Sequence, residues 1–426
     1  MNFDYPARRA RIAKALGLTN EILLIGAGQP VPKPEISDAH LPFIAHQEYY
    51  YLTGHAEAIG GILAYDPKGG DHGWTSFVPE VSELDRVWEG REQLPGELLG
   101  KFPAWLAARR GRPVVMLGAA INGLADEDRS AEVREKYKHA RRAKEPAEIE
   151  IMQRGAAATA AGYAAIQPLL KPGVSERQLQ IELEAEYFRH GAQATGYDTI
   201  VGIGARSAVF HGSPSPARVA RDGDYILIDS GAQMDRYVTD VTRTYVAGQA
   251  TPFQRDLYQA VLDAQVRAIG RCRAGAEWKA LHFAAAVDML GGLVAMGVLH
   301  GDPQSLVEQD VHTLFYPHGL GHLVGLGVRD ASGLEPGRRQ DDRPSLRSLR
   351  MDLVLRPGYV ATVEPGLYFI PAILDDRPRR EKYRAVINWD LVDQHKQIGG
   401  VRIEDNILVT AAVPVNLTAA IPKTLG

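Results

Sequence analysis

The stretch YILIDSGAQMDRYVTDVTRTY, from Tyr225 to Tyr245, constrains this chain more than any other. Tyr225 to Asp229 is β-branched and aromatic up to its aspartate, and Arg236 to Tyr245 alternates Val, Thr and Tyr, so both halves read as strands. Gly231 to Arg236 is the only break between them, and an antiparallel hairpin is the economical connection. A two-residue loop at Met234 and Asp235 sets Gln233 against Arg236 and carries Asp229 directly opposite Asp240. Directly opposed residues share a face, with Cβ atoms roughly 4.5–5.5 Å apart. Two carboxylates that close repel unless a cation lies between them or one is protonated. Strand alternation puts Arg243 on the other face from Asp240, so a bound cation is the sharper expectation.

Three later segments set acids or histidines among glycines and apolar residues. They are FYPHGLGHLVGLGVRD with His318 and His322, VATVEPGLYF with Glu364, and GGVRIEDNILV with Glu404. Each alone has a bland reading: a buried histidine is usually a hydrogen-bonded core residue, and Arg402 is at hand to pair with Glu404. As a set they are harder to dismiss, because buried carboxylates are costly unless paired or metal-bound. His318 and His322 are spaced like the histidines of helix-borne zinc sites. Gly319, however, stands where that motif needs Glu, and Gly319 with Gly321 disfavours a helix. One histidine is then a ligand and the other a neighbouring or substrate-binding group. Asp229, Asp240, Glu364 and Glu404 carry four negative charges beside a neutral His322. Two divalent cations balance those four charges, and such a pair holds a hydroxide between its ions. Oxygen-rich ligation with one imidazole favours Mn2+, although Co2+ or Zn2+ suits the same donors.

At 426 residues the chain suggests two to three domains. A net charge of −4 gives no sign of a nucleic-acid or anionic-membrane surface, and no run of 18 apolar residues occurs. A single cysteine, Cys272, rules out an internal disulfide framework and suits a reducing compartment, so the expected location is cytoplasmic. Residues 1–125 read as a mixed α/β domain, with short strands around Glu21–Ile25, Gly61–Tyr65 and Val114–Leu117. Residues 126–150 are a charged helical junction broken by Pro146. Residues 151–426 form the second domain, with helices over Ser175–His190, Pro252–Arg271 and Trp278–Met296. The glycines of ILLIGAGQPVPKP follow a strand, but Pro30, Pro32 and Pro34 forbid the helix that a dinucleotide site needs.

Taken together, IDSGAQMDRYVTDVTRTY, PHGLGHLVGLGVRD, TVEPGLYF and GGVRIEDN resemble the successive motifs of the pita-bread metallopeptidases, which include Xaa-Pro aminopeptidases and prolidases. The resemblance runs from Lys144 to about Thr410, and FIAHQEYYYLTG resembles the family's non-catalytic N-terminal domain. It implies an α/β (α+β) fold, with a C-terminal pita-bread catalytic domain behind a smaller creatinase-like α/β domain. It implies two metal ions on Asp229, Asp240, His322, Glu364 and Glu404, with Asp240 and Glu404 bridging. Glu364 would also accept the proton of the attacking water, and His211, in SAVFHG, would hold substrate near the scissile bond. His318, Arg329, Arg350 and Arg402 are the remaining substrate-binding candidates. Arg329 stands where relatives usually have a histidine, and arginine cannot give up a proton at neutral pH.

The segment between VEPG and RIED, Leu367 to Gly400, is long, as in prolidases. The expectation is therefore a dinuclear-metal dipeptidase that cleaves Xaa-Pro dipeptides, with Arg350 meeting the dipeptide's carboxylate. The alternative is an Xaa-Pro aminopeptidase acting on longer peptides. Related enzymes are commonly dimers, so a homodimer is expected, with neither nucleic acid nor membrane as a partner.

Overall fold

The apolar runs of the first hundred or so residues become one sheet. In the computed structural model, which describes residues 3–34, 40–121 and 123–425, the strands are β1 (Ile22–Gly26), β2 (Ile62–Tyr65), β3 (Trp74–Val78), β4 (Glu97–Leu98) and β5 (Val114–Gly118). Their order is β4-β3-β2-β1-β5, with β1 parallel to β5 and antiparallel to β2. Val, Ile and Leu fill β1 and β5 without alternation, as a sheet covered on both faces requires. The helix Phe102–Ala107 leads into β5, and no helix starts on the glycines after β1.

The chain divides into two compact units, ending and resuming between Arg141 and Arg142. The charged segment 126–150 is shared out between them. Glu127–Arg141 is a helix of the first unit, where Ser130 accepts a hydrogen bond from Met116 of β5. Pro146 opens the long helix Pro146–Ile166 of the second, capped by a reciprocal pair of bonds between Glu145 and Glu148. Proline suits that first turn, where its missing N–H has no partner to lose.

The second unit adds β6 (Ala194–Thr195), β7 (Ile200–Ile203), β8 (Tyr225–Asp229), β9 (Ala232–Met234), β10 (Tyr237–Val238) and β11 (Thr242–Val246), then β12 (Val360–Val363), β13 (Gly366–Phe369), β14 (Gly399–Arg402), β15 (Asp405–Leu408) and β16 (Val415–Asn416). Helices Pro252–Arg271 and Trp278–Ala295 pack on them, burying Leu257, Met289 and Leu293 with Tyr225, Phe315 and Leu367. The expectation of a mixed α+β chain holds. Among the described residues no helix is long and apolar enough to cross a membrane.

The hairpin forms, but with a different turn. Asp235 and Arg236, both in the left-handed region, make the two-residue loop, and Met234 faces Tyr237. A tight hairpin needs positive φ at both central positions; Asp235 tolerates it at the first, and Arg236 adopts it at the second, with φ 69°. The pairing is therefore slipped by two residues from the expected register, and Asp229 lies opposite Thr242 rather than Asp240. A slip of two conserves faces where a slip of one would invert them. Asp229 and Asp240 thus still share a face, as diagonal neighbours. Gly231 sits where a Cβ would fall 1.9 Å from the Thr239 carbonyl oxygen.

Candidate active site

A cavity of about 680 Å³ in the second unit is lined by Asp229, Asp240, His322, Glu364 and Glu404, and also by His211, His318, Arg329, Arg350 and Arg402. All ten residues singled out in the sequence border this one space. Antiparallel pairing builds most of it. β12 runs beside β15 and β13 beside β14, so the turns after Val363 and after Arg402 deliver Glu364 and Glu404 to the same end of their sheets. The segment carrying the two histidines is not helical. It lies along β12, with the Glu364 N–H donating to the Leu320 carbonyl and the Thr362 N–H to that of His322. Asp240 is pinned to β15 by a pair of bonds: its N–H donates to Asn406 Oδ1 (3.0 Å) and its carbonyl accepts from Asn406 Nδ2 (2.6 Å).

The donor set has more acceptors than protons. His322 Nδ1 lies 3.1 Å from the Leu323 carbonyl and must donate to it, which leaves the Nε2 lone pair facing inward. That lone pair stands 3.6 Å from Asp240 Oδ2 and 3.8 Å from Glu364 Oε1. One nitrogen of His322 and one oxygen each from Asp240 and Glu404 all lie within 4.8 Å of one another. Burial holds His322 down at about 4, so the ring is neutral near pH 7. Burial, and then the charge of Asp229, pushes Asp240 well above the usual carboxylate range. Glu404 is raised likewise by burial and Asp240, and Glu364 is raised to about 7, chiefly by burial. Crowded carboxylates and an unprotonated imidazole nitrogen are what a divalent cation needs, so the residues present fit such an ion.

Around these acids runs a hydrogen-bonded frame that the sequence reading missed. The Tyr197 hydroxyl stands 2.6 Å from both Asp229 Oδ1 and Asp240 Oδ1. Thr242 donates to Glu404 Oε2 at 2.6 Å and accepts from Arg402 Nε. Arg402 is buried. It pairs with Asp229 and donates to the Tyr368 hydroxyl, so its expected partner Glu404 is reached only through Thr242. Tyr368 in turn meets His318 Nε2 at 2.9 Å, while His318 Nδ1 donates to the Gly319 carbonyl. Phe210 packs edge-on against both His318 and Tyr368. Tyr368 lies two residues beyond the quoted VEPG, and its ring is seated where a Cβ on Gly400 would fall 2.2 Å away. Arg243 turns to the opposite face, as strand alternation requires, and meets Asp405 at 2.8 Å. At the mouth, His211, Arg329 and Arg350 are exposed. Asp330 is paired with buried Lys144 at 3.0 Å.

Residues 150–411 match the model of Metallopeptidase family M24, and residues 5–107 match that of the aminopeptidase P N-terminal domain. A probable Xaa-Pro aminopeptidase of Botryotinia fuckeliana is 29% identical over 406 residues, covering 91% of this chain and 87% of its own. Among solved structures, proline aminopeptidase P II from Yersinia pestis is 26% identical with a TM-score of 0.79, covering 99% of this chain and 98% of that one. Zinc-substituted Escherichia coli aminopeptidase P in complex with product is 26% identical with a TM-score of 0.80, covering 100% and 97%. These relatives overturn the expectation of a dipeptidase closest to prolidase and favour the aminopeptidase alternative. The physical reason lies in the segment that carried that expectation. Between β13 and β14 it folds into three short helices, Pro371–Leu374, Arg377–Lys382 and Trp389–His395, which bury Leu374 and Val392 in the core. None of its residues between Phe369 and Gly399 lines the cavity, so its length carries no information about substrate length.

Proposed function

Because the chain belongs to metallopeptidase family M24, we propose that it is an Xaa-Pro aminopeptidase, removing the first residue from peptides whose second residue is proline. The observation that carries this reading is the convergence of Asp229, Asp240, His322, Glu364 and Glu404 on one cavity, with ligand atoms of Asp240, His322 and Glu404 within 4.8 Å of one another. The relatives' printed activities supply the substrate class. The five residues would hold two divalent ions, with Mn2+ the first choice on the oxygen-rich donor set. When bound, such ions polarise the scissile carbonyl and make water nucleophilic near neutral pH.

The protein's own residues do the rest. Glu364, which borders the same cavity, takes the proton of the attacking water and passes it to the prolyl nitrogen as that group leaves. His318, held neutral by burial at about 3 and oriented by Tyr368 and the Gly319 carbonyl, offers a fixed face to the substrate backbone. His211, Arg329 and Arg350 at the mouth meet the peptide beyond the proline.

The test is metal-loaded protein given an Xaa-Pro-Xaa tripeptide, its N-acetyl derivative and the matching Xaa-Pro dipeptide. The expected result is release of the free first residue from the tripeptide and none from the acetylated form. No cleavage of the tripeptide with metal bound, or cleavage of the dipeptide alone, overturns the proposal.

A further inference from the structure

Behind the cavity wall lies a second group of buried polar side chains that the chemistry above does not use. His282, on the helix Trp278–Ala295, and His312, in the 3-10 turn Val311–Leu314, are each about 1% exposed. Their ring centres are 6.2 Å apart, with Phe283 packed against both. Burial keeps both rings neutral, His282 at about 3 and His312 at about 4. A neutral imidazole carries one N–H donor and one lone pair. Among the described residues only one of the four ring nitrogens has a partner: His282 Nδ1 meets the Tyr316 hydroxyl at a long 3.4 Å. Among the described residues His282 Nε2 and both nitrogens of His312 have none.

Leaving three such atoms bare forfeits their hydration with nothing in return, and buried polar groups in folded proteins are almost always satisfied. The rings are too far apart to satisfy each other. A direct N···N bond of about 2.9 Å needs closer centres, whereas a 6.2 Å separation is the span that one intervening molecule with a donor and an acceptor bridges. A metal ion is disfavoured by the Arg343 guanidinium, which stacks 4.8 Å from the Phe283 ring beside both histidines. An anion is disfavoured because Arg343 is already paired with Asp310 at 2.8 Å. Water is the ligand that remains.

The location gives this site a consequence. Tyr316, bonded to His282, packs edge-on against His318 with ring centres 4.9 Å apart. Arg343 opens the segment that carries Ser348 and Arg350 to the cavity. We propose that His282 and His312 hold a buried water molecule between them, and that this hydrated pair positions Tyr316, and through it His318, in the cavity wall. The role given to His318 rests on the function proposed above; the water site does not.

A crystal structure of the metal-loaded wild type tests the site first. Expected is one water peak within hydrogen-bonding distance of His282 Nε2 and a ring nitrogen of His312. Empty density, or a metal revealed by anomalous scattering, overturns the proposal. Kinetics test the positioning. His282→Phe should lose the water and raise KM for the tripeptide about tenfold, with kcat within about twofold and metal content unchanged. His282→Gln, which keeps a donor and an acceptor, should restore KM. A lowered Tm with unchanged KM would make the pair merely structural and overturn the positioning role. Should His282→Phe fail to fold, His312→Gln against His312→Phe makes the same comparison. A wild type that binds metal but cleaves no peptide would sink the peptidase reading and leave the water to be judged by density alone.

Discussion

At the scale of single residues, Tyr197 states the chemistry of the site most compactly. Its hydroxyl lies 2.6 Å from two carboxylates, yet it has one proton to give. The second contact needs a proton on a carboxyl or a cation nearby. Asp240 stands at the centre of this arrangement, close to His322 and Glu404 at once. Asp240→Asn should therefore reduce the bound metal, read by elemental analysis after gel filtration, because in the proposed site its carboxylate would be shared by both ions. Unchanged stoichiometry would remove Asp240 from the ligand set. Glu364→Gln should lower kcat by about 10²-fold or more at saturating metal, the usual worth of a positioned general base. Turnover close to wild type in that variant would show that the proton travels elsewhere.

At the scale of elements, much of the second unit was legible because local chemistry and tertiary packing agree. Thr251 and Pro252 mark the start of the helix Pro252–Arg271 as a capping box and first-turn proline. The hairpin was legible in its faces but not in its register, because Met234–Asp235 and Asp235–Arg236 each offer one aspartate and one residue with no preference for positive φ. The frame of Tyr197, Thr242 and Tyr368 was not legible at all. Each meets its partner only when strands distant in sequence come together, and a tyrosine or threonine in a strand is ordinary composition. The substrate-length reading failed for a related reason: an insertion that packs into the core looks the same in sequence as one that walls a cavity. The tight seat of Tyr368 on β14 is open to test. Gly400→Ala places a methyl 2.2 Å from that ring and should destabilise by about 1–3 kcal/mol, the range for overpacking. Displacing Tyr368 should also raise KM for the tripeptide. A variant as stable as wild type in urea would show that the ring moves aside freely.

At the scale of the whole molecule, the two units rest on different electrostatics. In the first, Asp66 accepts from Arg109 Nε and Arg112, each at 2.8 Å. Burial pushes this carboxyl up, but the bonds from Arg112, the Lys68 N–H and Arg109 together outweigh it and hold it at about 2. A carboxyl depressed below its ordinary value stabilises the fold fully above that value, and the gain is lost as pH falls toward the folded-state figure. The contribution is thus present above about pH 4 and fades toward pH 2. Asp66→Asn should cost about 1–2 kcal/mol at pH 7, a charge-assisted bond discounted for solvent, and its deficit should vanish near pH 2 in denaturant titrations. A deficit independent of pH would mean the loss is packing rather than charge. The second unit carries the opposite arrangement, like charges drawn together on Asp229, Asp240, Glu364 and Glu404. Those acids hang from the strands that build the unit, so in the proposed metal site cation supply would act on its durability as well as its activity. Free energy of binding is returned as free energy of folding, growing with the logarithm of ion concentration. In a calorimeter the chelated protein should show the melting of residues 142–425 moving upward with each added equivalent of Mn2+, while that of residues 3–141 stays where it was. A preparation stripped of metal would then lose its shelf life before it lost its fold, and the choice of buffer during purification would decide which protein reaches the assay.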